Sequence, residues 1–108
     1  MNESTTNVHG GDARERELIR RFRSNPMGPY DAELQAFLLP LRNLAALGKH
    51  GLMRRPTEGG WTLVRLGGRS GPVEIVGGLW TSRAAAEWAV FRARWQAVRG
   101  WDPEAIDD

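Results

Sequence analysis

The sequence contains no cysteine, which excludes a disulfide framework, a thiolate metal site and a cysteine nucleophile. Histidine is almost as scarce. His9 and His50 share no helical spacing, so no histidine-based metal motif can be written from them. No apolar run approaches the ~20 residues that cross a bilayer. The opening Met1-Asn2-Glu3-Ser4-Thr5-Thr6 lacks the charged and apolar regions of a secretory signal. A soluble, cytoplasmic protein is expected. Lysine is nearly absent too: of 15 bases, all but Lys49 are arginine. Guanidinium forks suit carboxylates and phosphates and tolerate partial burial better than ammonium groups, so this bias fits a protein interface or nucleic acid equally.

Against these absences stands an ordinary globular composition, 41% hydrophobic over 108 residues, enough for one domain around one core. A domain this small buries only about two-thirds of the surface its unfolded chain exposes, so its stability margin is thin and a partner subunit is a common remedy. The formal charge of +2 conceals an uneven distribution, because residues 4–101 carry 15 bases and eight acids while the remaining acids sit at the two ends. The organisation read from this is a flexible arm over 1–11, a single α+β domain over 12–101 and an acidic tail over 102–108.

Asp12 is placed to cap a first helix running to about Arg23, with Leu18, Ile19 and Phe22 on its apolar side. Asn25-Pro26-Met27-Gly28-Pro29 stops it, since a residue before proline is pushed out of the α region. Asp31 caps a second helix whose Leu34, Phe37, Leu38, Leu41, Leu44 and Ala45 recur at helical spacing. Pro40 costs that helix a backbone bond and predicts a kink or break near Leu39, with Gly48 as the C-terminal stop. Strands follow: a short one over Lys49–Met53, another over Trp61–Leu66, then a five-residue turn from Gly67 to Gly71 and its hairpin partner Pro72–Val76. Thr81 then caps a long helix from Ser82 to about Arg99, with Ala84, Trp88, Phe91, Trp95 and Val98 as one stripe. The fold class is therefore α+β: N-terminal helices, a small three-stranded antiparallel sheet, and a long C-terminal helix packed on it.

Catalytic machinery is hard to assemble from these residues. Ser24, Ser70 and Ser82 are explained by turns and caps. Glu74 alternates with Val73 and Ile75 and points to solvent, outside the apolar setting that tunes a carboxyl for acid–base work. The glycine doublets at 10–11, 59–60, 67–68 and 77–78 match neither phosphate-loop fingerprint and read as loop punctuation. His50 reads as a hydrogen-bonded or solvated side chain. No catalytic, cofactor-binding or metal-ligating residue is assigned.

Five tryptophans in so short a chain are more than three helices and a small sheet readily bury. Trp and Arg are also the residues most enriched at the energetic centres of interfaces. The expected partner interface is accordingly Trp88, Phe91, Arg92, Arg94 and Trp95 of the last helix with Arg42 of the second.

Local wording adds to this. Asn25-Pro26-Met27-Gly28 follows a charged first helix, and Asp31 to Asn43 carries Glu33-Leu34-Gln35 and Leu41-Arg42-Asn43. Gly48-Lys49 leads toward a strand, and Trp61–Leu66 is a Trp-containing strand. Trp80-Thr81-Ser82 then runs through Ala86-Glu87-Trp88-Ala89-Val90-Phe91-Arg92-Ala93-Arg94-Trp95. In this order, from Asn25 to Gly100, the chain resembles the small (light) subunit family of N,N-dimethylformamidase. The resemblance implies a hetero-oligomeric amidohydrolase acting on small N-substituted formamides or amides. It also implies that the mononuclear iron lies in the large catalytic subunit and that the small chain holds no cofactor and clamps its partner. The alternative from the residues alone is a basic DNA-binding module, a three-stranded sheet plus helix whose arginine excess would contact phosphates; against it, the sheet candidates carry few bases, Arg54, Arg55, Arg65 and Arg69.

Overall fold

Two aspartates start the first two helices, and in both the side chain accepts a hydrogen bond from an otherwise unpaired backbone N–H three residues on. Asp12 accepts from Glu15 at 2.7 Å and opens α1, Ala13–Ser24. Asp31 accepts from Leu34 at 2.8 Å and opens α2, Ala32–Arg42. The computed structural model describes residues 11–44, 47–68 and 71–106. The arm at 1–10 with His9, and Ala45, Arg69, Ser70, Asp107 and Asp108, lie outside the described residues.

The second helix runs through Pro40 to Arg42 rather than breaking near Leu39. Proline removes only the bond its own N–H would give to Ala36, and only two helical residues follow it, so the loss falls in the last turn. The stop is not Gly48. Asn43 caps the helix, its N–H donating to the carbonyls of Leu39 and Leu41, and Gly48 lies inside the first strand.

The sheet is antiparallel in the order β1-β2-β3, with β1 Leu47–Arg55, β2 Gly60–Gly67 and β3 Glu74–Trp80. The first strand is longer than Lys49–Met53 because residues 50–55 pair in register with 65–60 across a tight turn. Gly59, at φ +82°, closes that turn by donating to Arg55. The third strand starts two residues after Pro72 and continues four past Val76. Gly77 and Gly78, at φ +135° and +81°, absorb the register shifts that bring Trp80 opposite Trp61.

Ser82, not Thr81, caps the last helix, α3, Arg83–Arg99, accepting from Ala85 at 3.2 Å. This helix is the shared element. It packs against β1 and β2 and, through Phe91 and Trp95, joins Leu18, Ile19 and Phe22 of α1 and Leu34, Leu38 and Leu41 of α2 in one apolar core. Ala86, Ala89 and Val90 are also buried, whereas Val98 of the expected stripe is 51% exposed. Gly100, at φ +84°, ends the helix. Trp101 and Pro103 are buried and a short 3-10 turn, Pro103–Ala105, returns along α3, so the described part of the acidic end belongs to the packed body.

Candidate partner-binding surface

The residues expected to anchor a partner are held in three different ways. Phe91 and Trp95, 4% and 3% exposed, are core. Phe91 lies 4.8 Å from Phe22 and 5.7 Å from Trp95 between ring centroids, and Trp95 meets Phe37 at 5.5 Å and Trp101 edge-on at 5.6 Å. Trp88 is half-buried, with its indole N–H donating to Glu104 at 2.9 Å and the Arg23 guanidinium 4.9 Å above its ring. Arg92 donates from Nε and Nη2 to the two oxygens of Asp102. Trp88 and Arg92 are thus committed to the chain's own C-terminal segment.

This arrangement shifts the carboxylates it uses. The hydrogen bond from Arg92 holds Asp102 below its ordinary range, with the backbone N–H of Glu104 adding to it. The hydrogen bond from Trp88, then the charges of Arg23 and Arg92, do the same for Glu104. Arg94 and Arg42 are placed differently. Arg94 is half-buried and donates from Nε to the carbonyl of His50 at 3.0 Å. Arg42 is exposed, with its guanidinium 5.2 Å over the ring of Tyr30.

The surface that sequence reasoning missed is β3. It is an edge strand, and α3 lies mainly over the other two. Val73, Ile75, Val76 and Leu79 are 48–57% exposed, on and beside one seven-residue strand. Single exposed apolar side chains are normal; four grouped on one sheet edge mark a surface that gains by being covered. Glu74 is exposed as its alternation required, opposite Arg65, yet the same strand leaves Ile75 exposed as well. The available signal was the glycine pair inside a β-branched run, which marks a bulged strand.

Ser24 donates to the carbonyl of Arg21 and Ser82 is a helix cap, so neither is a poised nucleophile. His50 sits in β1, its imidazole held below the ordinary value by burial and then by Arg65 and Arg94. Among the described residues no three His, Cys, Asp or Glu side chains stand together as a metal ion requires, so they offer iron no ligand set. Nor is any described helix long and apolar enough to cross a membrane.

The family model described as N,N-dimethylformamidase alpha subunit matches residues 11–104. No curated protein matches the chain, and no solved structure does.

Proposed function

Because the chain belongs to the N,N-dimethylformamidase alpha-subunit family, we propose that it is the small, non-catalytic subunit of a heteromeric amide hydrolase, docking on and stabilising a larger, iron-bearing catalytic subunit. The substrates of that complex are small N-substituted formamides or amides, and the chemistry belongs to the partner. The observation that carries the reading is the exposed apolar edge of β3, with Val73, Ile75, Val76 and Leu79 open to solvent. Covering it removes apolar area from water at about 25 cal/mol per Å². A stable interface needs upwards of about 1,000 Å² in all, so this strand forms its centre and flanking polar residues its rim. A partner that binds only the folded small subunit raises the apparent stability of both chains by mass action. The same strand weighs against a sheet that reads DNA, since a phosphate backbone gains nothing from covering valine, isoleucine and leucine.

The test is co-purification of the full chain with its large polypeptide, comparing wild type with Ile75→Asp/Leu79→Asp. Wild type is expected to retain the large polypeptide at fixed ratio and to lengthen its half-life at elevated temperature. The double variant, folded by circular dichroism, is expected to lose both effects. Equal protection by the double variant removes β3 from the interface, and absence of any protection by wild type removes the subunit reading.

A further inference from the structure

The charges of this protein are paired very unevenly. Among the described residues, every carboxylate except Asp12 and Glu74 is in an ion pair with an arginine, and Asp12 is committed to its helix cap. Half of these pairs tie α1 to the start of α2, to the C-terminal segment or to the end of α3: Arg14 and Arg21 to Glu33, Arg21 to Asp31, Arg23 to Glu104, Arg99 to Glu15. That side of the molecule is electrostatically self-sufficient.

Among the described residues, four cations in no ion pair collect elsewhere, while Arg54 lies apart over the ring of Trp61. Arg42, Lys49, Arg65 and Arg94 meet where α2, β1, β2 and α3 converge, with His50 among them. Arg42 and Arg94 line one small cavity together with Glu87. Arg94 donates to the carbonyl of His50 at 3.0 Å, and Lys49 donates to the carbonyl of Arg42 at 2.8 Å. His50 stands opposite Arg65 in the β1–β2 register. Two acids border this group: Glu87 is taken by Arg83 at 2.7 Å, and Glu74, in no ion pair among the described residues, stands opposite Arg65 at the sheet edge. The Nη groups of Arg94 have no hydrogen-bond partner among the described residues. Burial and then Arg94 lower the Lys49 ammonium. Burial chiefly, and Arg42 beyond it, lower Arg94 against the opposing pull of Glu87.

Resting on the subunit reading above, we infer that this cationic end of the sheet is a carboxylate-docking site, where Arg42, Arg65 and Arg94 receive Asp or Glu side chains of the catalytic subunit. Two features select carboxylates on a protein over the phosphates of a nucleic acid. Guanidinium forks bind both anions, but a duplex is held by a line of exposed cations along its backbone. Here the set is compact and Arg94 is half-buried. The cluster is also continuous with apolar surface: a recess of about 450 Å³ lined by Gly48, Arg65, Leu66 and Pro72 connects it to Glu74, where β3 begins. An apolar strand with cations at one end fits a partner patch of apolar residues flanked by acids. Such rim charges act mainly on association rate and specificity.

The full chain, purified with its large polypeptide and then separated from it, is titrated back onto that polypeptide across a salt series. Wild type is expected to lose about tenfold in affinity from low salt to beyond physiological salt. Arg42→Glu/Arg65→Glu replaces two residues that make no ion pair, so the fold is kept. It is expected to bind about tenfold more weakly at low salt and to lose the salt dependence. Arg42→Gln/Arg65→Gln should fall between. An affinity and salt slope unchanged by charge reversal, while Ile75→Asp/Leu79→Asp still abolishes binding, overturns the carboxylate site and leaves the subunit reading standing. Retention of a 16-bp DNA duplex by wild type in place of the large polypeptide, lost on charge reversal, overturns both in favour of phosphate.

Discussion

Arg92 and Asp102 face each other across the end of α3 with two parallel hydrogen bonds, Nε to Oδ1 at 3.0 Å and Nη2 to Oδ2 at 2.7 Å. The pair fastens the segment after Gly100 onto the helix, where Trp101 and Pro103 are buried. A fork-to-fork geometry is stronger than a single contact, but both side chains are about a third exposed (36% and 32%), so solvent screens much of it. Asp102→Asn keeps the shape and removes the charge. The expected loss is about 1 kcal/mol, or roughly 4–8 °C in Tm for a domain of this size. Thermal unfolding at neutral pH measures it, and an unchanged Tm would mean that buried Trp101 and Pro103 and the contacts of Glu104 hold the segment without the pair.

Acid sensitivity follows from the same place. In the native chain Asp102 and Glu104 hold their protons less readily than at their ordinary values of 3.8 and 4.5. As pH falls through those values the unfolded chain takes up protons first, so stability that is complete above them declines and is gone below the native values. His50 adds an earlier limb. Its native value lies below the ordinary 6.5, so the unfolded chain again binds the proton first and stability begins to fall as pH drops through 6.5. Urea midpoints from neutral to strongly acid pH should therefore decline in two stages. His50→Gln should flatten the upper stage and Asp102→Asn the lower. If His50→Gln leaves the upper stage intact, His50 is not its source.

The three helices, their order and the first two N-caps were legible because each rests on signals a few residues apart, Asp12 and Asp31 before apolar periodicity. The β2 strand and its hairpin were legible for the same reason. What was not legible depends on partners distant in sequence. Arg99 reaches Glu15 across 84 positions and Arg23 reaches Glu104 across 81, so no spacing rule shows that Glu104 is tied to the body. The length of β3 was hidden by Gly77 and Gly78, which read as a terminator and instead bend a strand that continues. The interface was sought on α3 because Trp and Arg concentrate there. Phe91 and Trp95 instead face two other helices, and the surface left uncovered is the strand that α3 covers least. Which strand a helix covers is decided by tertiary packing, on which periodicity is silent.

Trp95 tests that last point. It is 3% exposed among Phe37, Phe91 and Trp101, and its indole Nε1 is buried with no hydrogen-bond partner among the described residues. Truncation to alanine should cost about 3–5 kcal/mol, a large part of the roughly 5–15 kcal/mol that holds a small domain together. The variant is expected to be unfolded or nearly so. Trp95→Phe loses part of the ring volume but also deletes an unpaired donor, whose burial costs about 1–3 kcal/mol. The two changes oppose each other, so the net cost should stay below about 2 kcal/mol. Chemical denaturation of the two variants separates these outcomes. Because Trp95 lies beneath the surface, Trp95→Phe should also bind the large polypeptide as wild type does, whereas Ile75→Asp should not. A folded Trp95→Phe protein that fails to bind would return the interface to α3.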